Sequence, residues 1–130
     1  MSCSCRYSDG TISEAGKGDT MQALVNALNE TRKQLNKCLL YYKKSGRLLA
    51  EAERQYRIAF RQEVFRLHAL EGVAWTACSD LAKGDETVAR LRFERDVRKS
   101  DYECCYEKIL QLKIELRILE NEINAEKQGM

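Results

Sequence analysis

His68 is the only histidine in the chain, and it stands three residues before Glu71, a spacing that a helix holds on one face. The order is the reverse of the Glu-x-x-His pair used by carboxylate-bridged di-iron bundles, and no second copy follows. The pair therefore reads as an ordinary helix edge. Six cysteines are the other reactive groups. Cys3 and Cys5 lie in a polar leader, and Cys38 and Cys78 occupy places where any small apolar side chain would serve. The adjacent Cys104 and Cys105 would point in different directions from one helix. None has the C-x-x-C or multi-histidine spacing that zinc needs, and no apolar export signal accompanies them, so they read as free thiols. A phosphate-cradling glycine loop, G-x-S-x-G and H-E-x-x-H are missing from the sequence. The expectation is a non-enzymatic chain with no cofactor and no metal.

Groups suited to recognition are more plentiful. Arg54, Arg57, Arg61 and Arg66 against Glu63 leave a surplus of three positive charges. Arg90, Arg92, Arg95, Arg98 and Lys99 against Glu94 and Asp96 leave another three. Trp75, the only tryptophan, lies between the two groups. Together they form a candidate docking surface for an acidic protein or a polyanion, with Trp75 as the aromatic anchor. A simpler reading stands beside it. Glu53–Arg57, Glu86–Arg90 and Glu94–Arg98 are i, i+4 pairs in the favourable order, which would merely solubilise long helices, and Trp75 would plug the end of a helical hairpin. Residues 101 to 130 carry a surplus of three negative charges. The overall +2 is thus a cancellation of a basic region and an acidic one.

The elements that must position these groups are helices. There is no proline, and only seven glycines interrupt 130 residues. Residues 1 to 20 are polar, lack periodicity and read as a disordered leader. Glu14 to Thr20 could even be translated ribosome-binding sequence, with the native start at Met21. From Met21 to about residue 70, apolar side chains recur at three- and four-residue spacing (Leu24, Leu28, Leu35, Cys38, Tyr42, Leu49, Tyr56, Val64, Leu67), which predicts one amphipathic helix capped by Asp19 or Thr20. Ser45–Gly46 is its one weak point, where the sequence leaves open a kink or a break into two helices. A short helix over about 74–83 follows, closed by Gly84. Asp85 then caps a helix over about 86–127. In that last helix Val88, Leu91, Tyr102, Cys105, Ile109, Leu112, Leu116, Leu119 and Ile123 keep a heptad alternation, with Arg95 and Arg98 at the two places the pattern leaves open.

The fold class expected is therefore all-α: a long, coiled-coil-like antiparallel hairpin with a short connecting helix, forming a single domain over residues 21–130. A hairpin symmetric about the short helix would set Arg54 opposite residue 102. Leu110, Ile114 and Ile118 form a second apolar face on the last helix, roughly opposite the first. They are the expected interface of a homodimer or higher oligomer that completes the bundle; a folded-back N-terminal segment is the monomeric alternative. The turn around Gly84 has a helix-turn-helix flavour, but the glycine lies too close to Thr87, and the helix that follows is too long for that motif. No stretch of eighteen uncharged apolar residues exists to span a membrane.

Two segments carry a resemblance: Ala50-Glu51-Ala52-Glu53-Arg54-Gln55-Tyr56-Arg57, and Lys83 to Asp96 with its Gly-Asp-Glu-Thr-Val-Ala-Arg-Leu-Arg-Phe-Glu-Arg-Asp run. Over about residues 48 to 126 the chain resembles small uncharacterised all-helical proteins of tailed phages and prophages of Gram-positive bacteria. The cysteine-rich leader departs from that pattern. The resemblance implies a phage protein acting in the host bacterial cytosol by binding a host or phage protein, with inhibition of a host defence nuclease or sensor as the leading expectation. A nucleic-acid-binding accessory factor for recombination or replication, and a purely structural coiled-coil oligomer, are the alternatives.

Overall fold

The computed structural model describes residues 17–129. Residues 1–16 of the proposed leader, Cys3 and Cys5 among them, lie outside the described residues, whereas Lys17 to Thr20, read as the end of a disordered leader, and the alternative start at Met21 lie within them and are helical. Three helices account for the described residues: α1 (Lys17–Glu71), α2 (Trp75–Lys83) and α3 (Glu86–Gln128). α1 and α3 pack as an antiparallel hairpin with α2 in the connection, as the periodicity predicts. α1 starts at Lys17, so Asp19 and Thr20 lie inside its first turn and do not cap it.

The helices divide into two compact units. In the unit that contains residues 17–43 and 103–129, Cys38, Cys105, Ile109 and Leu112 form the buried cluster, and Leu35, Tyr41 and Tyr42 pack against it. The Cys105 thiol donates to the Cys38 carbonyl at 3.5 Å, which fits the reading of these cysteines as small core side chains. Cys104, one residue before, is exposed, and the four described cysteines are all free. Tyr42 and Tyr106 lie 6.0 Å apart, and Arg32 reaches Glu120 at 3.9 Å.

The unit formed by Lys44–Tyr102 contains α2. Its core cluster joins Leu67 of α1 to Cys78 and Ala82 of α2, flanked by Phe60, Val64 and Val73. α1 runs through Ser45–Gly46 as one helix, without the break that the sequence left open there. Ser45 is buried, and a Cβ on Gly46 would come within 3.2 Å of the Tyr102 ring. The glycine is a seat for Tyr102, and the helix on either side supplies the packing that overrides its low propensity.

The same contact fixes the register. Gly46, not Arg54, lies opposite Tyr102, so the pairing slides by about two helical turns from the symmetric hairpin. The reason is that α2 doubles back along the end of α1, with Cys78 and Ala82 against Leu67, and does not bridge symmetrically across it. Two glycines frame this return and act differently. Gly72 ends α1 at φ 68, a left-handed conformation that only glycine adopts freely. Gly84 closes α2 in a right-handed conformation at φ −85, which any residue can adopt. Asp85 caps α3 as expected, its Oδ2 accepting from the Val88 amide at 3.1 Å.

Candidate functional site

An aromatic cluster stands at the α1–α2 connection in the Lys44–Tyr102 unit. Gly72 turns the chain so that the Val73 amide donates to the Leu67 carbonyl at 3.1 Å. The Val73 carbonyl then accepts from His68 Nδ1 at 2.8 Å and from the Cys78 thiol at 3.5 Å. With Nδ1 donating, the His68 ring is fixed in one orientation. Trp75, the first residue of α2, stacks on it with ring centroids 3.7 Å apart and planes 20° from parallel. Phe65 meets Trp75 edge-on at 6.0 Å and 73°, the geometry that aromatic quadrupoles favour.

This cluster is not a plug. Trp75 is 53% exposed and Phe65 57%, with Leu70 and Leu81 also exposed nearby in sequence. Closure of the connection falls instead to Leu67, Cys78 and Ala82, which are buried. Sequence reasoning singled out Trp75 but passed over His68 and Phe65 as partners. The i, i+3 spacing of Phe65 and His68 was the signal available for placing both under one aromatic ring.

The predicted basic surface proves to be extensively paired. Arg54 holds Glu51 at 2.6 Å, Arg57 holds Glu53 at 2.8 Å, and Arg66 holds both Glu63 at 2.7 Å and Glu71 at 2.9 Å. Arg90 pairs with Glu94 at 3.2 Å, so the expected Glu86–Arg90 and Glu94–Arg98 pairs do not form. Arg57 keeps the Glu53 carboxyl below its ordinary range, and Arg66 does the same for Glu63. Glu51, Glu53 and Glu71, left out of the charge surplus read from the sequence, are the groups that neutralise it. Arg61, Arg92, Arg98 and Lys99 make no such ion pair among the described residues.

Arg95 behaves as its place in the heptad suggested. It is half-buried on the packed side of α3, with its guanidinium 4.6 Å from the centroid of Tyr56 and 3.4 Å from Glu53 of α1. Asp96 accepts from it at 2.8 Å and contributes most to holding it charged. It is a clamp between two helices of the unit, not a free contact for a partner.

In the unit that contains residues 103–129, Leu110, Ile114 and Ile118 are all exposed, as expected for a second apolar face. Among the described residues no group of three or more His, Cys, Asp or Glu could hold a metal ion, and no helix is long and apolar enough to cross a membrane.

Comparisons with protein-family models, with curated proteins and with solved structures find no match to this chain.

Proposed function

We propose that the protein is a non-catalytic binding protein whose contact surface for another protein is the aromatic cluster of Phe65, His68 and Trp75. The observation that supports the reading is Trp75 itself: a large ring, half in solvent, held in one orientation by a stacked histidine that is in turn hydrogen-bonded to the backbone. An exposed tryptophan that needs no further ordering to bind is the kind of anchor that dominates protein interfaces. The pairing of Arg54, Arg57, Arg66 and Arg90 moves the weight of recognition from charge to apolar and aromatic contact. Arg61 and Arg92 remain to steer an acidic rim. With the resemblance to phage proteins, the reading extends to a phage accessory protein acting in the bacterial cytosol on a host protein such as a defence nuclease or sensor.

Affinity capture from phage-infected cells, run in parallel with wild type, Trp75→Ala and Arg92→Ala, tests this reading. A partner retained by wild type and by Arg92→Ala but lost by Trp75→Ala, whose helical content is checked by circular dichroism, is the expected outcome. For a hot-spot tryptophan the affinity loss is about 30-fold or more. Because Trp75 is the only tryptophan, its emission should also shift to the blue when the purified partner is added. Binding to single- or double-stranded DNA at low salt that Arg61→Ala and Arg92→Ala abolish, with Trp75→Ala unaffected, would overturn the proposal in favour of phosphate contacts.

A further inference from the structure

On α3, within the unit that contains residues 103–129, the exposed side chains Cys104, Gln111, Ile114, Ile118 and Ala125 recur at intervals of three, four and seven residues. This is the spacing of a coiled-coil seam. It is separate from the packed seam of Cys105, Ile109 and Leu112, which is buried. Ile114 is 56% exposed and Ile118 50%, so two β-branched side chains one turn apart stand in water with no cover from the described residues of their own chain. A shallow depression lined by Lys108, Gln111, Ile114 and Glu115 runs beside them.

The charges that flank this seam say what fits it. Glu103 and Lys108 are five residues apart on its two borders, and so are Arg117 and Glu122. When two identical helices lie parallel and in register, a residue on one border meets the residue five further along on the opposite border of the other helix. Glu103 then meets the partner's Lys108, and Arg117 meets the partner's Glu122, each contact occurring twice by symmetry and each joining opposite signs. An antiparallel pairing that stacks Ile114 on the partner's Ile118 would instead set Arg117 on the partner's Arg117 and Glu115 on the partner's Glu115. We propose that this face of α3 is the seam of a parallel, two-fold homodimer, with Ile114 and Ile118 each packed on its own counterpart. Glu107, on the same face, opposes the partner's Glu107, which keeps the pair weak and reversible. The seam is independent of the aromatic cluster, so either can fail without the other.

The test uses the full chain with Cys3→Ser and Cys5→Ser, whose mass is followed by sedimentation equilibrium over a range of micromolar concentrations. The mass should climb from 15.0 kDa toward twice that value. Ile118→Asp should remove the dimer with helical content unchanged. Glu103→Lys should weaken it about three- to tenfold, and Glu103→Lys combined with Lys108→Glu should restore it. Glu107→Gln should tighten it. Mild oxidation should give a covalent dimer that Cys104→Ser prevents, since in a parallel pair Cys104 faces the partner's Cys104. A single-chain mass at about 100 μM, or a dimer that the double charge exchange fails to restore and Cys104 fails to cross-link, would overturn the proposal.

Discussion

Gly46 and Gly72 belong to the same stretch of chain, and replacing each by alanine should move stability in opposite directions. At Gly46 the backbone is helical, so alanine gains about 0.8–1.0 kcal/mol of helix propensity. Against that, the new Cβ stands 3.2 Å from Cε2 and 3.8 Å from Cδ2 of Tyr102, so a half-buried ring must yield by a few tenths of an ångström. A small shift of one ring costs a few tenths of a kcal/mol, well under the 1–3 kcal/mol of true overpacking. Gly46→Ala should therefore stabilise by about 0.5 kcal/mol. At Gly72 nothing lies within 4 Å of the new Cβ, but φ is 68, and an L residue there costs about 1–2 kcal/mol. Gly72→Ala should destabilise by that amount despite the open space. Urea denaturation of both variants should separate them by about 1.5–2.5 kcal/mol. Gly46→Val should fall on the destabilised side, because its branched side chain cannot avoid Tyr102. In a Tyr102→Ala background Gly46→Ala should show the full propensity gain. If Gly46→Ala proves more destabilising than Gly72→Ala, or if Tyr102→Ala leaves its effect unchanged, the register drawn from the Gly46–Tyr102 contact is wrong.

Three further outcomes are expected. Asp85→Ala removes the acceptor of the Val88 amide and should cost about 1 kcal/mol in chemical denaturation, with Asp85→Asn near neutral. Arg95→Ala loses both the Tyr56 face and the Glu53 carboxylate and should cost about 1–2 kcal/mol, whereas Arg95→Leu, which keeps apolar bulk between the helices, should cost less; equal losses would show that the charge contacts alone matter there and that packing by the stem contributes nothing. The carboxyls of Glu51, Glu53 and Glu63 are held below their ordinary range by Arg54, Arg57 and Arg66. Their contribution to stability is therefore present above the unfolded carboxylate value of about 4.3 and is lost as the pH falls through the lower folded values. The melting temperature should be level from about pH 5 upward and decline below about pH 4, and Glu53→Gln should flatten part of that decline.

The periodic parts of the fold were legible in the sequence because the hydrophobic effect acts on every turn alike. Val88, Cys105, Ile109, Leu112 and Ile123 were read as one stripe of α3, and all five are buried. Features set by a single contact were not legible. The propensity of Gly46 predicts a weak helix, and only knowledge of which ring lies opposite turns it into a packing site. The register slipped because it depends on how α2 folds back on Leu67, a choice made by the small side chains of Cys78 and Ala82 with no periodic signature. The charge surplus does not survive folding because the bonds that cancel it include i, i+3 pairs, Arg54 with Glu51 and Arg66 with Glu63, and not only the i, i+4 pairs of favourable order. For Trp75 the sequence leaves two readings open, an exposed anchor and a plug, and nothing in its spacing decides between them. Its stacking on His68 satisfies one face of the ring and leaves the other to solvent.

The nine residues of α2 begin at Trp75, behind an N-cap, Ala74, that offers no side-chain hydrogen bond, and they follow Gly72, the one glycine at positive φ among the described residues. Buried apolar contact comes from only Cys78 and Ala82. So short a helix, with so little holding it, is the segment whose amides should exchange with solvent most readily in the Lys44–Tyr102 unit, opening without unfolding α1 or α3. With α2 closed, Trp75 stays stacked on His68, and a partner that grips it would be seen at a distance as slowed exchange throughout α2.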